Sequence, residues 1–342
     1  MNAITTPTPP HILLGEMGVI VCVLLALSQL LASATAERVA DNGRKLEREE
    51  RDQQTVTVTV QDKIDTEVKG EAKDTILPSL VAGSQHNTPA KSCSEISELK
   101  LGQSSGYYWV RSHNGTAVQV YCDMDRVCGC SSTEGWMRIA HLNMSDVSQQ
   151  CPDAWRLITT PRRMCGRKTT QKGGCDSAIF PTHGLQYSHV CGRVKGYQYT
   201  SPYAFIGPIN SIDRPYVDGV SITHGAPGSR QHVWTFAASY GPGFCPCSYN
   251  QSIPPFVGQD YFCETGNDDN VFMYRTWFVN DTLWDGQDCK GYSTCECTFN
   301  SPPWFCKQLP QATTDDVEVR ICADERTGFG DTAEEVIELY IH

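Results

Sequence analysis

Residues 92–125 read SCSEISELKLGQSSGYYWVRSHNGTAVQVYCDMD and contain the pattern that decides the fold. Two short runs rich in β-branched and aromatic residues, GYYWV at 106–110 and TAVQVYC at 116–122, stand on either side of Asn114-Gly115. Asn-Gly between two such runs is the strongest short-range signal for a β-hairpin, because both residues accept the positive φ of a tight turn. The sequence therefore predicts a β-hairpin at this place.

Runs of the same kind recur further along the chain, each bounded by turn residues. The clearest helix candidate, residues 146–158, contains Pro152 and is expected to keep at most a turn or two. We therefore predict an α+β, β-rich, disulfide-stapled domain. Its further strand candidates are GWMRIAHL (135–142), YVDGVSIT (216–223), HVWTFAAS (232–239), VFMYRTWFV (271–279), DDVEVRICA (315–323) and EVIELYIH (335–342).

An uncharged apolar segment, residues 17–36, lies close to the N-terminus. At 1.5 Å per residue a helix of this length spans about 30 Å, the thickness of a bilayer core. The segment is either a signal-anchor helix or a signal peptide cleaved after Ala36. Both interpretations fit imperfectly, because no Lys or Arg precedes the segment and several follow it. We expect a single-pass cell-surface protein with an extracellular C-terminus if it is uncleaved, and a secreted protein if it is cleaved.

The cysteine content indicates an oxidising compartment. Of 17 cysteines, Cys22 lies in the apolar segment and the other 16 lie between Cys93 and Cys322, an even number that suits complete pairing. Three C-x-C pairs and no C-x-x-C disfavour zinc clusters and favour disulfides with partners elsewhere in the chain. N-glycosylation sequons in the same region begin at Asn114, Asn143, Asn250 and Asn280.

Composition also divides the chain into parts. Residues 1–16 form a short tail before the apolar segment, and residues 37–90, which lack cysteine and aromatic residues, predict a flexible stalk. Cysteines, aromatic residues, glycines and prolines become frequent from about residue 91. The net charge of −11, with no basic patch interleaved with aromatics, argues against a nucleic-acid partner.

Residues 92–142 carry a resemblance to a known family. A cysteine, a Ser-Gly-Tyr-Tyr turn, an Asn-Gly hairpin, Val-Tyr-Cys-Asp-Met and a Gly-Trp strand follow in an order that resembles the opening subdomain of fibrinogen-like C-terminal domains, also seen in intelectin-type lectins. The resemblance implies a Cys93–Cys122 disulfide and a core position for Trp136. It implies a fibrinogen-like subdomain at 91–142, followed by a cysteine-rich, β-rich remainder at 143–342. The chain departs from the family where RVCGCSST (126–133) precedes Glu134-Gly135-Trp136.

A later segment is similar to the family's recognition pocket, where an acidic calcium loop and a cysteine precede aromatic residues and a second cysteine. NDTLWDGQDC (280–289) and PPWFC (302–306) follow that order here, although the family's Asp-x-Asp signature is absent. The resemblance implies a Cys289–Cys306 pair around Trp304 and Phe305. Trp304, Phe305 and Trp284 are therefore our ligand-binding candidates, and the expected ligand is a glycan or an extracellular protein.

The sequence contains candidate calcium ligands but no recognisable catalytic motif. The spacings of His183, His189, His224 and His232 are not helical zinc chelates. Acidic loops supply oxygen ligands that suit calcium, although such residues are also ordinary turn formers; the candidates are Asp268, Asp269, Asp281, Asp285 and Asp288. No nucleophile-elbow, zinc-protease or phosphate-loop motif is present.

These observations predict a non-catalytic extracellular recognition or adhesion protein of fibrinogen-related, lectin-like type. Two alternatives remain open at this point. One is an extracellular hydrolase with a site made of His and acidic residues in the cysteine-rich region. The other is a structural surface glycoprotein that associates with its own copies.

Overall fold

The computed structural model describes residues 82–99, 104–125, 134–207, 209–239, 253–266, 276–286 and 304–342. All of them belong to the unit Ile76–His342. The predicted apolar segment 17–36 and most of the predicted stalk lie outside the described residues. Within those described ranges, no helix is long and apolar enough to cross a membrane.

One helix and fourteen strands are present in the described residues. Helix α1, Cys93–Glu98, begins after Ser92, whose side-chain oxygen accepts a hydrogen bond of 3.1 Å from the Glu95 backbone N–H. The β-rich, disulfide-stapled class is thus confirmed, whereas the helical part of the predicted α+β class is limited here to this helix of 6 residues. The strands are β1 (Gly106–Arg111), β2 (Ala117–Asp123), β3 (Trp136–Asn143), β4 (Trp155–Ile158), β5 (Met164–Arg167), β6 (Gly174–Phe180), β7 (Tyr187–Thr200), β8 (Gly219–His224), β9 (Gln231–Ala238), β10 (Tyr261–Glu264), β11 (Trp277–Leu283), β12 (Trp304–Thr313), β13 (Val317–Ala323) and β14 (Gly330–Ile341).

The predicted hairpin is confirmed as β1 and β2, which pair in antiparallel register. The Asn114 side-chain oxygen accepts hydrogen bonds from the Ser112 hydroxyl at 2.6 Å and from the Thr116 backbone N–H at 3.0 Å. Gly115 has φ = 85°, a value that glycine adopts without a steric cost. Local turn chemistry therefore fixes the position of the hairpin turn.

The larger sheet has nine strands and is organised around β14. One edge of β14 pairs antiparallel with β7 over almost its full length. The other edge pairs with β5 near the start of the strand and with β3 towards its end. The sheet continues from β3 to β2 and β1, from β5 to β4, and from β7 to β11 and β12. The C-terminal strand thus joins the hairpin to the rest of the folded unit, which we call the head.

The smaller sheet has five strands in the order β10-β9-β8-β13-β6. Its neighbours are antiparallel except for β10 and β9, which are parallel. Val319 and Ile321 of β13 are fully buried in the same hydrophobic cluster as Ile337 and Leu339 of β14. The two sheets therefore pack on a shared core.

The second face of the smaller sheet is covered by loops. Because successive strand residues point to opposite faces, Glu318 and Arg320 point away from the core that β13 shares with β14. Residues of the segments 204–217 and 253–257 form a separate apolar cluster with Ala237 of β9 and Cys322 of β13. These covering loops supply one side of the site described below.

The N-terminal boundary of the head differs from the prediction. The Trp109 backbone N–H donates to the Gly83 carbonyl at 2.7 Å, and the Ala90 N–H donates to the Trp109 carbonyl at 2.9 Å. The His86 ring contacts the Trp109 ring edge-on at 4.8 Å between centroids. Residues 82–90, assigned to the predicted stalk, therefore belong to the head, because β1 offers them a free edge.

All nine cysteines among the described residues are disulfide-bonded. The Cys93–Cys122 bridge that the resemblance implied is present and joins α1 to β2, with a Cα–Cα distance of 5.4 Å. Two further bridges are Cys151–Cys165 and Cys175–Cys322. Cys191, Cys263 and Cys306 are also bonded. Trp136, implied to be a core residue, has no exposed surface.

Candidate functional site

An open groove of about 940 Å³ lies where the covering loops meet the ends of β8, β9 and β12. Its walls come from residues 210–212, from the turn between β8 and β9, and from residues 310–315. Most lining side chains are polar. Those that fix its chemistry are His224, His232, Phe256, Asp260, Lys307 and Asp315.

A histidine–aspartate pair lies at one end of the groove. His224, the last residue of β8, brings its Nδ1 atom within 2.9 Å of Asp315 Oδ2, in the turn between β12 and β13. The Asp315 backbone N–H donates to the Thr313 hydroxyl at 3.1 Å. Hydrogen bonds from His224 and then Thr313 hold the pKa of Asp315 below its ordinary value. The aspartate is therefore ionised at neutral pH and orients the imidazole.

The second histidine is held neutral. Burial lowers the pKa of His232 to about 3, and the charge of Lys307 contributes in the same direction. Its Nε2 atom lies 2.8 Å from the Thr235 hydroxyl, which lies 2.8 Å from the Tyr216 hydroxyl. Tyr216 in turn donates to Ser221 at 2.9 Å. This chain of hydrogen bonds fixes the His232 ring in the groove floor. With so low a pKa, His232 is a poor proton acceptor at neutral pH.

Lysine, aspartate and an aromatic ring complete the floor. Lys307 of β12 forms an ion pair with Asp260, just before β10, and both side chains are partly exposed. The Phe256 ring contacts the Tyr216 ring at 4.9 Å and the His232 ring at 6.2 Å between centroids. The groove thus presents cationic, anionic and aromatic groups within one concave surface.

A charged network holds one wall in place. Arg230 donates to Glu318 through Nε at 2.6 Å and through its second terminal nitrogen at 2.9 Å. It also bonds Asp213 at 2.5 Å. Burial raises the pKa of Glu318, but hydrogen bonds from Arg230, Ser177 and Thr223 outweigh it and hold that pKa below its ordinary value. The network joins the covering loop to β13.

Two of the three predicted ligand-binding aromatics are core residues, so that prediction is wrong for them. Trp284 is 0% exposed and donates its indole N–H to the Ala237 carbonyl at 3.0 Å. Phe305 is 3% exposed and stacks on Trp234 at 5.2 Å between centroids. Both lie between the two sheets, where a ligand has no access. Local composition could not distinguish core aromatics from exposed ones.

Trp304 has a different environment. It is half-buried on β12, opposite Arg193 of β7, whose guanidinium lies 4.8 Å from its ring centroid. Tyr340 of β14 lies 6.1 Å away on the same face. Trp304 is therefore away from the groove, on the outer face of the larger sheet.

Only two of the five calcium candidates lie within the described residues. Asp281 lies on β11 and Asp285 follows it, while Asp268, Asp269 and Asp288 lie outside the described residues. In the described part of the chain, no group of three or more His, Cys, Asp or Glu side chains is arranged to hold a metal ion. Cys289, the implied partner of Cys306, also lies outside it.

The glycosylation candidates differ in exposure. Asn114, in the hairpin turn, and Asn280, on β11, are exposed. Asn143 is half-buried at the end of β3, and its side-chain oxygen accepts hydrogen bonds from the Ser145 N–H and hydroxyl. Asn250 lies outside the described residues.

The four histidines considered for zinc do not form one site. His224 and His232 line the groove, whereas the His189 ring contacts Trp136 and His342 at 6.4 and 6.2 Å between centroids. His183 lies in the loop between β6 and β7. Sequence reasoning missed Asp260, Lys307 and Asp315 as site residues, although Asp315-Asp316 before an alternating strand marked a turn.

The groove could bind polar groups or assist proton transfer. A histidine oriented by an aspartate is half of a nucleophile-activating triad. Among the hydrogen bonds of the described residues, however, none joins His224 to a Ser, Thr or Cys side chain. The pair can offer a hydrogen-bonding group to a polar ligand in the groove.

Comparison with known proteins adds no relative: no protein-family model matches this chain, and no curated protein is significantly similar to it.

Proposed function

We propose that this protein is a non-catalytic extracellular or cell-surface recognition protein that binds a glycan in the open groove. The observation that carries the proposal is the lining of the groove, in which carboxylate, ammonium, amide and imidazole groups surround Phe256. A hydroxyl-rich ligand needs both donors and acceptors, and an aromatic ring can stack on the apolar face of a sugar.

The sequence supports the same proposal. Paired cysteines, sequons and the apolar segment 17–36 suit a protein exported to an oxidising compartment, anchored by that segment or released after Ala36. The fibrinogen-like resemblance of residues 92–142 implies a lectin-like or adhesive role. The head would then be a fibrinogen-related module that presents its groove outside the cell.

A glycan array probed with the full chain, with calcium and with chelator, tests the proposal. We expect a restricted set of glycans to bind. Gln231→Ala and Gln311→Ala, which remove exposed groove amides, should each weaken binding about two- to tenfold, since each loses one or two hydrogen bonds. Gln171→Ala, the same change at an exposed site outside the groove, should bind like the wild type. Equal binding by all three variants, or binding of no glycan, would contradict the proposal.

An extracellular hydrolase is the second candidate, and the His224–Asp315 pair is the observation that favours it. Incubating the protein with each bound glycan and analysing the products by mass spectrometry separates the two functions. Recognition predicts that the glycans remain intact. Hydrolysis that falls at least about 100-fold in Asp315→Asn would instead establish the catalytic alternative.

A further inference from the structure

A second, smaller pocket of about 240 Å³ lies where β2 and β3 separate. The two strands pair only from Tyr121 with Arg138 to Asp123 with Trp136. On its other edge β3 pairs with β14 from Met137 to Asn143, and the loop residues Pro181 and His183 line the opening between β2 and β3. We call this site the fork pocket; its polar lining is Tyr107, Gln119, Tyr121, Arg138, His141 and His183.

The polar side chains contributed by the strands share one face of the sheet. Tyr107 opposes Tyr121, and Tyr121 opposes Arg138. Arg138 and His141 oppose Tyr340 and Glu338, which are two residues apart on β14, because an irregularity in the register shifts β3 by one residue. Side chains two residues apart on a strand point the same way. The strand pairing therefore delivers Arg138 and His141 to the same surface.

Arg138 is held in place without being neutralised. Its guanidinium carbon lies 3.8 Å from the Tyr121 ring centroid. Among the ion pairs of the described residues, none involves Arg138. Two acidic side chains on the neighbouring strands have other partners: Glu338 pairs with Arg193 at 2.5 Å and lies 3.7 Å from His141, while Asp123 accepts hydrogen bonds from Ser105 and the Asp125 N–H.

The lining of the fork pocket contains donors but no carboxylate. This is unusual in a chain whose net charge is −11. His183, at the opening, has φ = 57°, a left-handed conformation uncommon outside glycine. The strain is compensated in part by the hydrogen bond that the His183 carbonyl accepts from the His113 N–H at 3.3 Å. Strain of this kind concentrates at functional sites.

From these observations we infer that the fork pocket binds the carboxylate group of an acidic sugar, independently of the open groove. The guanidinium lies over the Tyr121 ring, and the edge of a planar guanidinium can make a paired interaction with a carboxylate. Tyrosine hydroxyls, the Gln119 amide and imidazole groups line the same pocket and suit the remaining sugar hydroxyls. The pocket is smaller than typical ligand cavities, so it fits one terminal residue rather than an extended chain.

Titration of the full chain with glucuronic acid, followed by saturation-transfer NMR and calorimetry, tests the inference. We expect glucuronic acid to bind, glucose to bind at least about tenfold more weakly, and 150 mM salt to weaken the binding of the acid. Arg138→Gln should reduce the affinity for glucuronic acid about tenfold or more, and Arg138→Lys, which keeps the charge but loses the planar fork, should retain only part of it. Inorganic sulfate is the second probe, and binding of sulfate alone would overturn the assignment to a carboxylate.

Arg162→Gln is the matched control, because Arg162 also lies over a tyrosine, 5.4 Å from the Tyr197 ring centroid, but outside the pocket. Its affinity for glucuronic acid should equal that of the wild type. Gln231→Ala in the open groove should leave this binding unchanged as well, which separates the inference from the proposed glycan function. Failure of glucuronic acid to bind, or equal loss in Arg138→Gln and Arg162→Gln, would overturn the inference.

Discussion

Glu334 is an acidic side chain whose burial is not compensated by a partner. It is 0% exposed, and neither carboxylate oxygen has a hydrogen-bond partner of good geometry in the described structure. A side chain added at Gly196 would meet both Glu334 Oε2 and the Trp284 ring, which places the carboxyl beside an aromatic wall. Burial raises the pKa of Glu334 well above its ordinary value, and the Thr332 hydroxyl opposes that shift only in part.

Substituting Glu334→Gln should change how stability depends on pH. Because the folded pKa is raised, the contribution of Glu334 to stability is fully present below the unfolded pKa, about 4.3, and is lost as the pH rises through the folded pKa. Gln cannot ionise, so the variant should be at least as stable as the wild type at pH 7. The difference should disappear at low pH. Urea unfolding of both proteins between pH 4 and pH 8 measures this.

Glu335→Gln is the control for that prediction, because the pKa of the Glu335 carboxyl is shifted in the direction opposite to that of Glu334. Burial raises the pKa of Glu335, but hydrogen bonds from Lys195 and Tyr197 outweigh it and lower the net value. Its stabilising contribution is present above the unfolded pKa and is lost as the pH falls through the folded pKa. The variant should therefore be destabilised at pH 7 and less so below pH 4. Parallel pH profiles for the two variants would contradict this assignment.

At the scale of the element, the ion pair between Arg230 and Glu318 joins the start of β9 to β13. Both side chains are nearly buried. Breaking a buried pair by removing one charge costs about 3 kcal/mol, because the other charge stays buried. In the Glu318→Gln variant Asp213 still pairs with Arg230. We therefore expect the free energy of unfolding to fall by about 2 kcal/mol, as measured by urea unfolding at pH 7.

Glu134→Gln provides the comparison for Glu318→Gln, since Glu134 is exposed and contacts only the Ser97 hydroxyl at 3.4 Å among its side-chain hydrogen bonds in the described structure. A change at such a surface site should cost less than about 0.5 kcal/mol. Similar losses of unfolding free energy in Glu318→Gln and Glu134→Gln would show that the network at Glu318 does not stabilise the groove wall.

Strands with plain alternation of apolar and polar residues were predictable, and the long central strand β7 was not. The runs that became β2, β13 and β14 alternate apolar and polar residues, so their period identified them. β7, the longest of the described strands with 14 residues, carries Arg193, Lys195 and two glycines and gave no such signal. Its charges are satisfied across the sheet by Glu338 and Glu335 of β14. That compensation depends on long-range pairing, which no local pattern contains.

At the scale of the whole molecule, the hairpin could be predicted from local sequence, whereas the groove could not. The hairpin could be predicted because its turn residues and both strands lie within one short stretch. The groove combines residues from near position 210 with others near 224, 260 and 310, which meet only after both sheets have formed. The sequence spacing argues against His224 and His232 as zinc ligands, but it does not reveal their actual neighbours, Asp315 and Thr235.

The Cys175–Cys322 bridge is a restraint on the whole molecule. It joins directly opposed residues of β6 and β13 with a sequence separation of 147, whereas Cys151–Cys165 has a separation of 14. The chain-entropy model gives about 5 kcal/mol for closing the long loop and about 3 kcal/mol for the short one. Cys191, Cys263 and Cys306 lie between Cys175 and Cys322 and are themselves disulfide-bonded. Because further bridges restrict the unfolded chain as well, we expect the difference between the two bridges to be at most about 2 kcal/mol.

We therefore expect Cys175→Ala combined with Cys322→Ala to lower the melting temperature further than Cys151→Ala combined with Cys165→Ala. Calorimetry of the two double variants, each secreted with its other disulfides intact, gives the comparison. The alanine pairs leave no unpaired thiol, so reshuffling of disulfides does not confound the result. Loss of the bridge between β6 and β13 also frees the strand that carries Glu318 and the groove wall, so glycan binding should weaken together with stability. An equal or greater effect from the short bridge would show that local strand packing, rather than closure of the long loop, determines how much each disulfide stabilises the head.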